Sequence, residues 1–312
     1  MMRRSIIILP LLVFVLALAA ACGDDDDDDA AGTSPASGEA TETADAITVV
    51  ATTTQIADMA RNVADDRAEV ESILTANTDP HEYEPEPATI RLIGDADLVL
   101  RNGLELDAFL DDLLAEAGDA PVVTVTEGIT QLSDDPHVWF DVARAKQMVE
   151  NIRDALTQAD PDGAEQYEAN ARDYLAQLDE LDQYIRSETD TIPPECRKLV
   201  TDHEILTHFA AAYDLQIIGT IVPQGTTEAE PSAADLASLI DAIRVEGVPA
   251  VFGQASENRD LVEQVAGEAG ISAVTDLYLD ALGPADSGAS TYIDMMRHNT
   301  DLIVEALEGC AG

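Results

Sequence analysis

Basic side chains are scarce in this chain. Its 312 residues hold 16 lysines and arginines against 62 aspartates and glutamates, a formal net charge of −46. Such a surface repels phosphate backbones and anionic headgroups, so nucleic acid is excluded as a partner, and it raises the local concentration of cations. Cysteine is scarce too: beyond Cys22 only Cys196 and Cys310 remain, room for one disulfide. No HExxH pair and no nucleophile elbow occurs, so the common metalloprotease and serine-hydrolase signatures are missing. There is no short internal repeat, and past the first 21 residues no apolar run is long enough to span a bilayer. Histidine is limited to five residues. Two of them nevertheless share a prefix, in "TDPHEYEPEP" around His81 and "DDPHVWFD" around His137.

The amino terminus reads as an export segment. "MMRR" is a basic start and "SIIILPLLVFVLALAAA" is an apolar stretch ending in small residues, so 1–21 is expected to be a signal peptide rather than a retained span. Cys22 follows directly, in the position of a diacylated lipobox cysteine, although Ala19 stands where a leucine is usual. Plain secretion by cleavage near Ala21 is the alternative. Residues 22–46, with six consecutive aspartates and no aromatic residue, are too polar to build a core and read as an acidic tether behind the lipid-bearing cysteine. Contact with the membrane is then expected through the lipid alone.

From Ile47 onward, short β-rich runs alternate with helical patterns. Strands are predicted at 47–52, 68–74, 97–103 and 121–128, with helices at 55–65 and 104–118 between them. From Val142 to about Thr191 helical periodicity runs without a strand, broken once by "DPDG". Alternation then resumes, with strands at 197–201, 215–222, 249–253 and 271–278. Strands separated by helices imply βαβ units and parallel sheets. The predicted fold is therefore α/β, with two (β/α) lobes joined by a long rigid helix. An amino-terminal lobe spans 47–158, the connecting helix 159–191 and a carboxy-terminal lobe 192–312. In an oxidising exterior Cys196 and Cys310 are expected to pair and staple the carboxyl terminus to its own lobe.

His81, His137, His203 and Asp280 all fall at or beyond the carboxyl ends of predicted strands, two in each lobe. Ligands of open parallel sheets bind at that edge. Three imidazoles and one carboxylate form a donor set for a first-row divalent cation, suited to four-coordinate zinc and tolerated by manganese. Proline before each histidine of the DPH triplets stiffens the loop, and Asp79 and Asp135 are expected to orient the rings rather than bind metal. Asp276 is the alternative carboxylate. His208, His298, Met295 and Met296 read as structural.

At this point the residues resemble a family. "DPHEYEPEP", "DPHVWFD", "LVTDHEILTHFAAAYDLQIIG", "EAEPSAADLASLI" and "YLDALGPADSGASTYIDMMRHN" look like the metal-binding lipoproteins of zinc and manganese ABC importers, in order from about residue 47 to 308. The resemblance implies two (β/α) lobes, a rigid helix, and one metal in the cleft held by His81, His137, His203 and Asp280. It implies a monomer that delivers Zn2+, or alternatively Mn2+, to an ABC permease outside the cytoplasm, with no catalytic residues. Three departures stand out. The His-rich loop of many zinc members is absent, members devoted to manganese often have glutamate at the position of His203, and Gln254 occupies a place where an acid is expected. The rival readings are a secreted zinc hydrolase, with Glu82 or Glu204 as base, and a metal-dependent surface adhesin.

Overall fold

The computed structural model describes residues 46–116, 120–222, 230–255 and 259–311. The expected export segment, Cys22 and the tether up to residue 45 lie outside the described residues. Two four-stranded sheets, parallel throughout, make up the body. The first contains β1 (Ile47–Ala51), β2 (Ala68–Ser72), β3 (Leu98–Arg101) and β4 (Val122–Thr124), in the order β2-β1-β3-β4. The second contains β5 (Lys198–Thr201), β6 (Gln216–Thr220), β7 (Ala250–Gln254) and β8 (Ser272–Leu277), in the order β6-β5-β7-β8. The same strand order recurs in both lobes, so each has its reversal point beside its first strand, the place where a parallel sheet opens a crevice at its carboxyl edge.

The period-two alternation of the strands decides which core each side chain enters. Val49, Ala51, Leu98 and Leu100 point into one large core, while Val50 and Val99 face a smaller one on the opposite side of the sheet. In the second lobe Leu199, Ala250 and Phe252 join the same large core, and Val200 and Val251 face a separate outer cluster. One apolar core therefore runs through both lobes. Its spine is α5 (Ala164–Thr189), which buries Tyr167, Ala171, Tyr174, Leu178, Leu181 and Ile185 along one stripe. α4 (Val142–Ala159) and α9 (Tyr292–Glu308) pack beside it, and the Tyr292 hydroxyl donates to the Trp139 carbonyl at 2.6 Å.

Where the elements differ from the sequence reading, a local cause is visible. The long helix begins at Ala164, directly after "DPDG", where Pro161–Gly163 forms a 3-10 turn. No single helix runs from Leu104: Leu104 and Glu105 take left-handed φ values of 55° and 67°, and among the described residues of 104–116 only α3 (Asp111–Glu116) is α-helical. That turn brings Asp107 back onto the edge of the sheet, where its carboxylate accepts from the amides of Asn102 at 2.6 Å and Gly103 at 3.0 Å. An unpredicted α2 (Pro87–Gly94) starts at a proline, which suits the first helical position. The remaining helices are α1 (Thr54–Ala64), α6 (Thr207–Ala212), α7 (Ala233–Glu246) and α8 (Arg259–Ala269).

Cys196 and Cys310 are joined as a disulfide with their Cα atoms 5.9 Å apart, closing a separation of 114 residues. Replacing both with serine is expected to lower the stability of the metal-free protein by about 2–4 kcal/mol in denaturant titrations. An unchanged midpoint would show that the bridge does not hold the terminal helix.

Candidate metal centre

The two DPH triplets fold alike. Asp79 Oδ1 accepts from the backbone N–H of His81 at 2.7 Å, and Asp135 Oδ1 accepts from that of His137 at 2.9 Å. Each is an aspartate side chain capping the amide two residues on, with proline in between to restrict the backbone. The shared prefix is thus a device for presenting a histidine at a fixed angle. Asp135 Oδ1 also lies 2.7 Å from His137 Nδ1. A nitrogen that donates to a carboxylate leaves Nε2 as the lone-pair donor, turned inward. In the second lobe the residue ahead of His203 plays this part. Asp202 Oδ1 holds the backbone N–H of His203 at 2.8 Å and its Nδ1 at 3.0 Å, while Asp202 Oδ2 accepts from Gln254 N at 3.1 Å.

These loops bring His81, His137, His203 and Asp280 together, with one donor atom of each within 4.8 Å of all the others. His81 Nε2 and His137 Nε2 stand 3.3 Å apart. Asp280 Oδ1 is 3.2 Å from His137 Nε2 and 3.6 Å from His81 Nε2, and its Oδ2 is 3.6 Å from His203 Nε2. Tetrahedral zinc with bonds of about 2.0–2.1 Å separates its donor atoms by roughly 3.3 Å, so the spacing fits an ion at the centre. Among the described residues, His203 Nε2 and both oxygens of Asp280 are buried without a hydrogen-bond partner, an arrangement suited to ligand atoms. The side chains of His137 and His203 are fully buried, whereas His81 keeps 10% exposure. On its outer side an open pocket of about 260 Å³ is lined by His81, Glu105, Gln131, Asp134 and Pro136, so solvent reaches the cluster past His81.

Without a metal the four groups must manage their charge among themselves. Burial alone would push His137 down, but the carboxylates of Asp135 and Asp280 outweigh it and lift its pKa to about 10. The same opposition acts on His203: burial lowers it, and Asp202 and Asp280 carry it above its ordinary value. Asp280 would be raised by burial, yet the surrounding histidines hold it well below the usual carboxylate range. A cation at the centre can replace those protons.

Other candidates lie elsewhere. Asp276, the alternative carboxylate, is mostly exposed and pairs with Arg259 at 2.6 Å, away from the cluster. His298 bonds the Asp276 carbonyl at 2.9 Å, and Met295 and Met296 sit in the core. His208 Nε2 lies 3.0 Å from the Asp135 carbonyl, tying α6 to the other lobe. The sequence reading passed over Asp202, although an aspartate directly before a histidine in "VTDHE" was a usable signal. Glu204, the base of the hydrolase reading, is outside the four-residue cluster and lifted above its ordinary value by burial and by Asp135 and Asp134.

Known proteins resemble this chain in both sequence and fold. It is 35% identical to the manganese-binding lipoprotein MntA of Halalkalibacterium halodurans over 284 residues, covering 89% of this chain and 94% of that protein. It is 32% identical to the zinc-binding protein TroA of Treponema pallidum, covering 83% of this chain and 88% of the other. The solved structure of that periplasmic zinc-binding protein superposes with a TM-score of 0.79 at 31% identity, over 84% of this chain and 99% of that one. A manganese ABC transporter substrate-binding lipoprotein, PsaA of Streptococcus anginosus, is 29% identical over 83% of this chain and 88% of its own length. The family model for the periplasmic component A of zinc-uptake complexes matches residues 49–306, and the chain belongs to that family.

Proposed function

We propose that this protein captures one zinc ion between its lobes and delivers it, as cargo, to the permease of an ABC importer. The reading rests on the three-histidine, one-carboxylate cluster, in which His203 Nε2 and both Asp280 oxygens are buried with no hydrogen-bond partner among the described residues. His81 and His137 bind from the amino-terminal lobe, and His203 and Asp280 from the carboxy-terminal lobe. Four protein ligands leave no open position for an activated water, which suits binding and release rather than hydrolysis. The chain is a binding protein of its family, not an enzyme. Its place is outside the cytoplasm, as a monomer held to the membrane by a diacylated Cys22 behind the 22–46 tether. The mostly acidic surface draws hydrated cations toward the opening beside His81. A core shared by both lobes, with α5 as its spine, opposes wide hinge opening, so release proceeds through small movements of the ligand loops.

One observation favours a manganese reading. Asp280 turns Oδ1 toward His81 and His137 and Oδ2 toward His203, so both oxygens face the centre. A bidentate carboxylate adds a fifth ligand, which a larger and oxygen-preferring cation accepts more readily.

Zinc has to displace the proton on His137, whose pKa is lifted to about 10. Calorimetric titrations should therefore release protons at neutral pH, and affinity should fall between about pH 7.5 and 5 as the rising proton concentration competes with the metal for the histidine nitrogens. An affinity constant over that range would remove the three-histidine site. The metal-free protein should behave in the opposite way. The folded pKa of His137, about 10, lies above its ordinary 6.5, so its contribution is full below that lower value and is lost as pH rises through the upper one. Metal-free melting temperatures should drop from neutral pH toward pH 10. Asp135→Asn removes the carboxylate behind His137 and is expected to weaken zinc binding roughly 10-fold to 100-fold, read by competition with a chelating dye. Binding unchanged in that variant would mean that His137 is not oriented through Asp135.

A further inference from the structure

Asp280 raises a question that its own lobe does not answer. His137 and His203 each have an aspartate carboxylate behind the ring, but both oxygens of Asp280 are without a hydrogen-bond partner among the described residues. Beyond the three histidines it faces, its placement comes from the backbone on either side. That backbone is gripped from the amino-terminal lobe. Thr54 Oγ1 accepts from Leu282 N at 2.8 Å, and Gln55 Nε2 donates to the Leu279 carbonyl at 3.4 Å. Thr54 Oγ1 in turn donates to Gln55 Oε1 at 3.2 Å, closing a buried chain of hydrogen bonds around Asp280 and Ala281. Asn77 N adds a bond to the Leu282 carbonyl at 3.3 Å. Gln55 is fully buried and Thr54 is 9% exposed, so water does not compete for these groups.

We propose that Thr54 and Gln55, on the first turn of α1, are positioning residues that set the carboxylate ligand for metal capture. They touch no metal. They bracket the loop that carries Asp280, so a ligand supplied by one lobe is aimed by the other. The inference rests on the metal-capture reading above and adds to it two residues outside the ligand set.

The test uses zinc itself as the probe, with dissociation constants from chelating-dye competition and circular dichroism to confirm folding. Thr54→Val and Gln55→Met each remove one polar grip at nearly constant volume and are expected to weaken binding roughly 10-fold or more. Thr54→Ser keeps the hydroxyl and should bind like the parent protein. On an Asp280→Ala background, Thr54→Val should cause no further loss, because the residue it acts through is gone. If Thr54→Val does not fold, Gln55→Met on the same two backgrounds carries the comparison. Parent-like affinity in the folded variants, equal loss on both backgrounds, or a Thr54→Ser loss matching Thr54→Val would overturn the positioning role. Failure of the parent protein to bind zinc would overturn the metal-capture reading with it, so the two failures are distinguishable.

Discussion

Three imidazole nitrogens and a carboxylate pointed at one another in a nearly dry interior define this molecule. Burying polar atoms without partners is costly, and burying a charge costs more unless it is paired. The carboxylates of Asp135, Asp202 and Asp280 offset that cost by raising His137 and His203 above their ordinary values, and a dication at the centre would offset it in their place. Much of the surrounding structure keeps these groups from turning away. Asp135 and Asp202 lock two rings, the Asp79 turn sets the third histidine's backbone, and Gln254 holds Asp202 from the next strand.

The fold serves this constraint by supplying two matching crevices and a rigid link between them. Identical strand order in the two sheets places a reversal point, and thus a ligand edge, in each lobe. A single apolar core through both lobes fixes the distance between those edges. The lobes are also stitched at the ligand loops. Asp135, next to one histidine loop, reaches Thr207 N and His208 of α6, while Thr54 and Gln55 reach the backbone around Asp280. Each lobe therefore grips a segment of the other within a few residues of the cluster.

A large part of this was legible in the sequence. The alternation of strands and helices, the long helix through Tyr167 and Ile185, and the four side chains that meet in the cleft can all be read from periodicity and from the histidine and aspartate positions at strand ends. The rest depended on contacts that sequence spacing does not reveal. The left-handed turn at Leu104 and Glu105 exists because Asp107 folds back onto the amides of Asn102 and Gly103. The grip of Gln55 on Leu279 joins residues 224 apart in the chain. Asp202 was missed for a different reason: its role is local, but it precedes its histidine directly rather than through a proline. Asp276 and Asp280 lie only four positions apart, and the structure separates them: Asp276 is an exposed partner of Arg259, and Asp280 is buried in the cluster.

Metal capture is tested most directly by locating the ion. Crystals of residues 46–312 loaded with zinc, measured on both sides of the zinc absorption edge, should show one strong anomalous peak per chain. It should lie about 2.0–2.2 Å from the inward nitrogens of His81, His137 and His203 and from Asp280. No peak at that position, or a peak held by other residues, would contradict capture by this cluster.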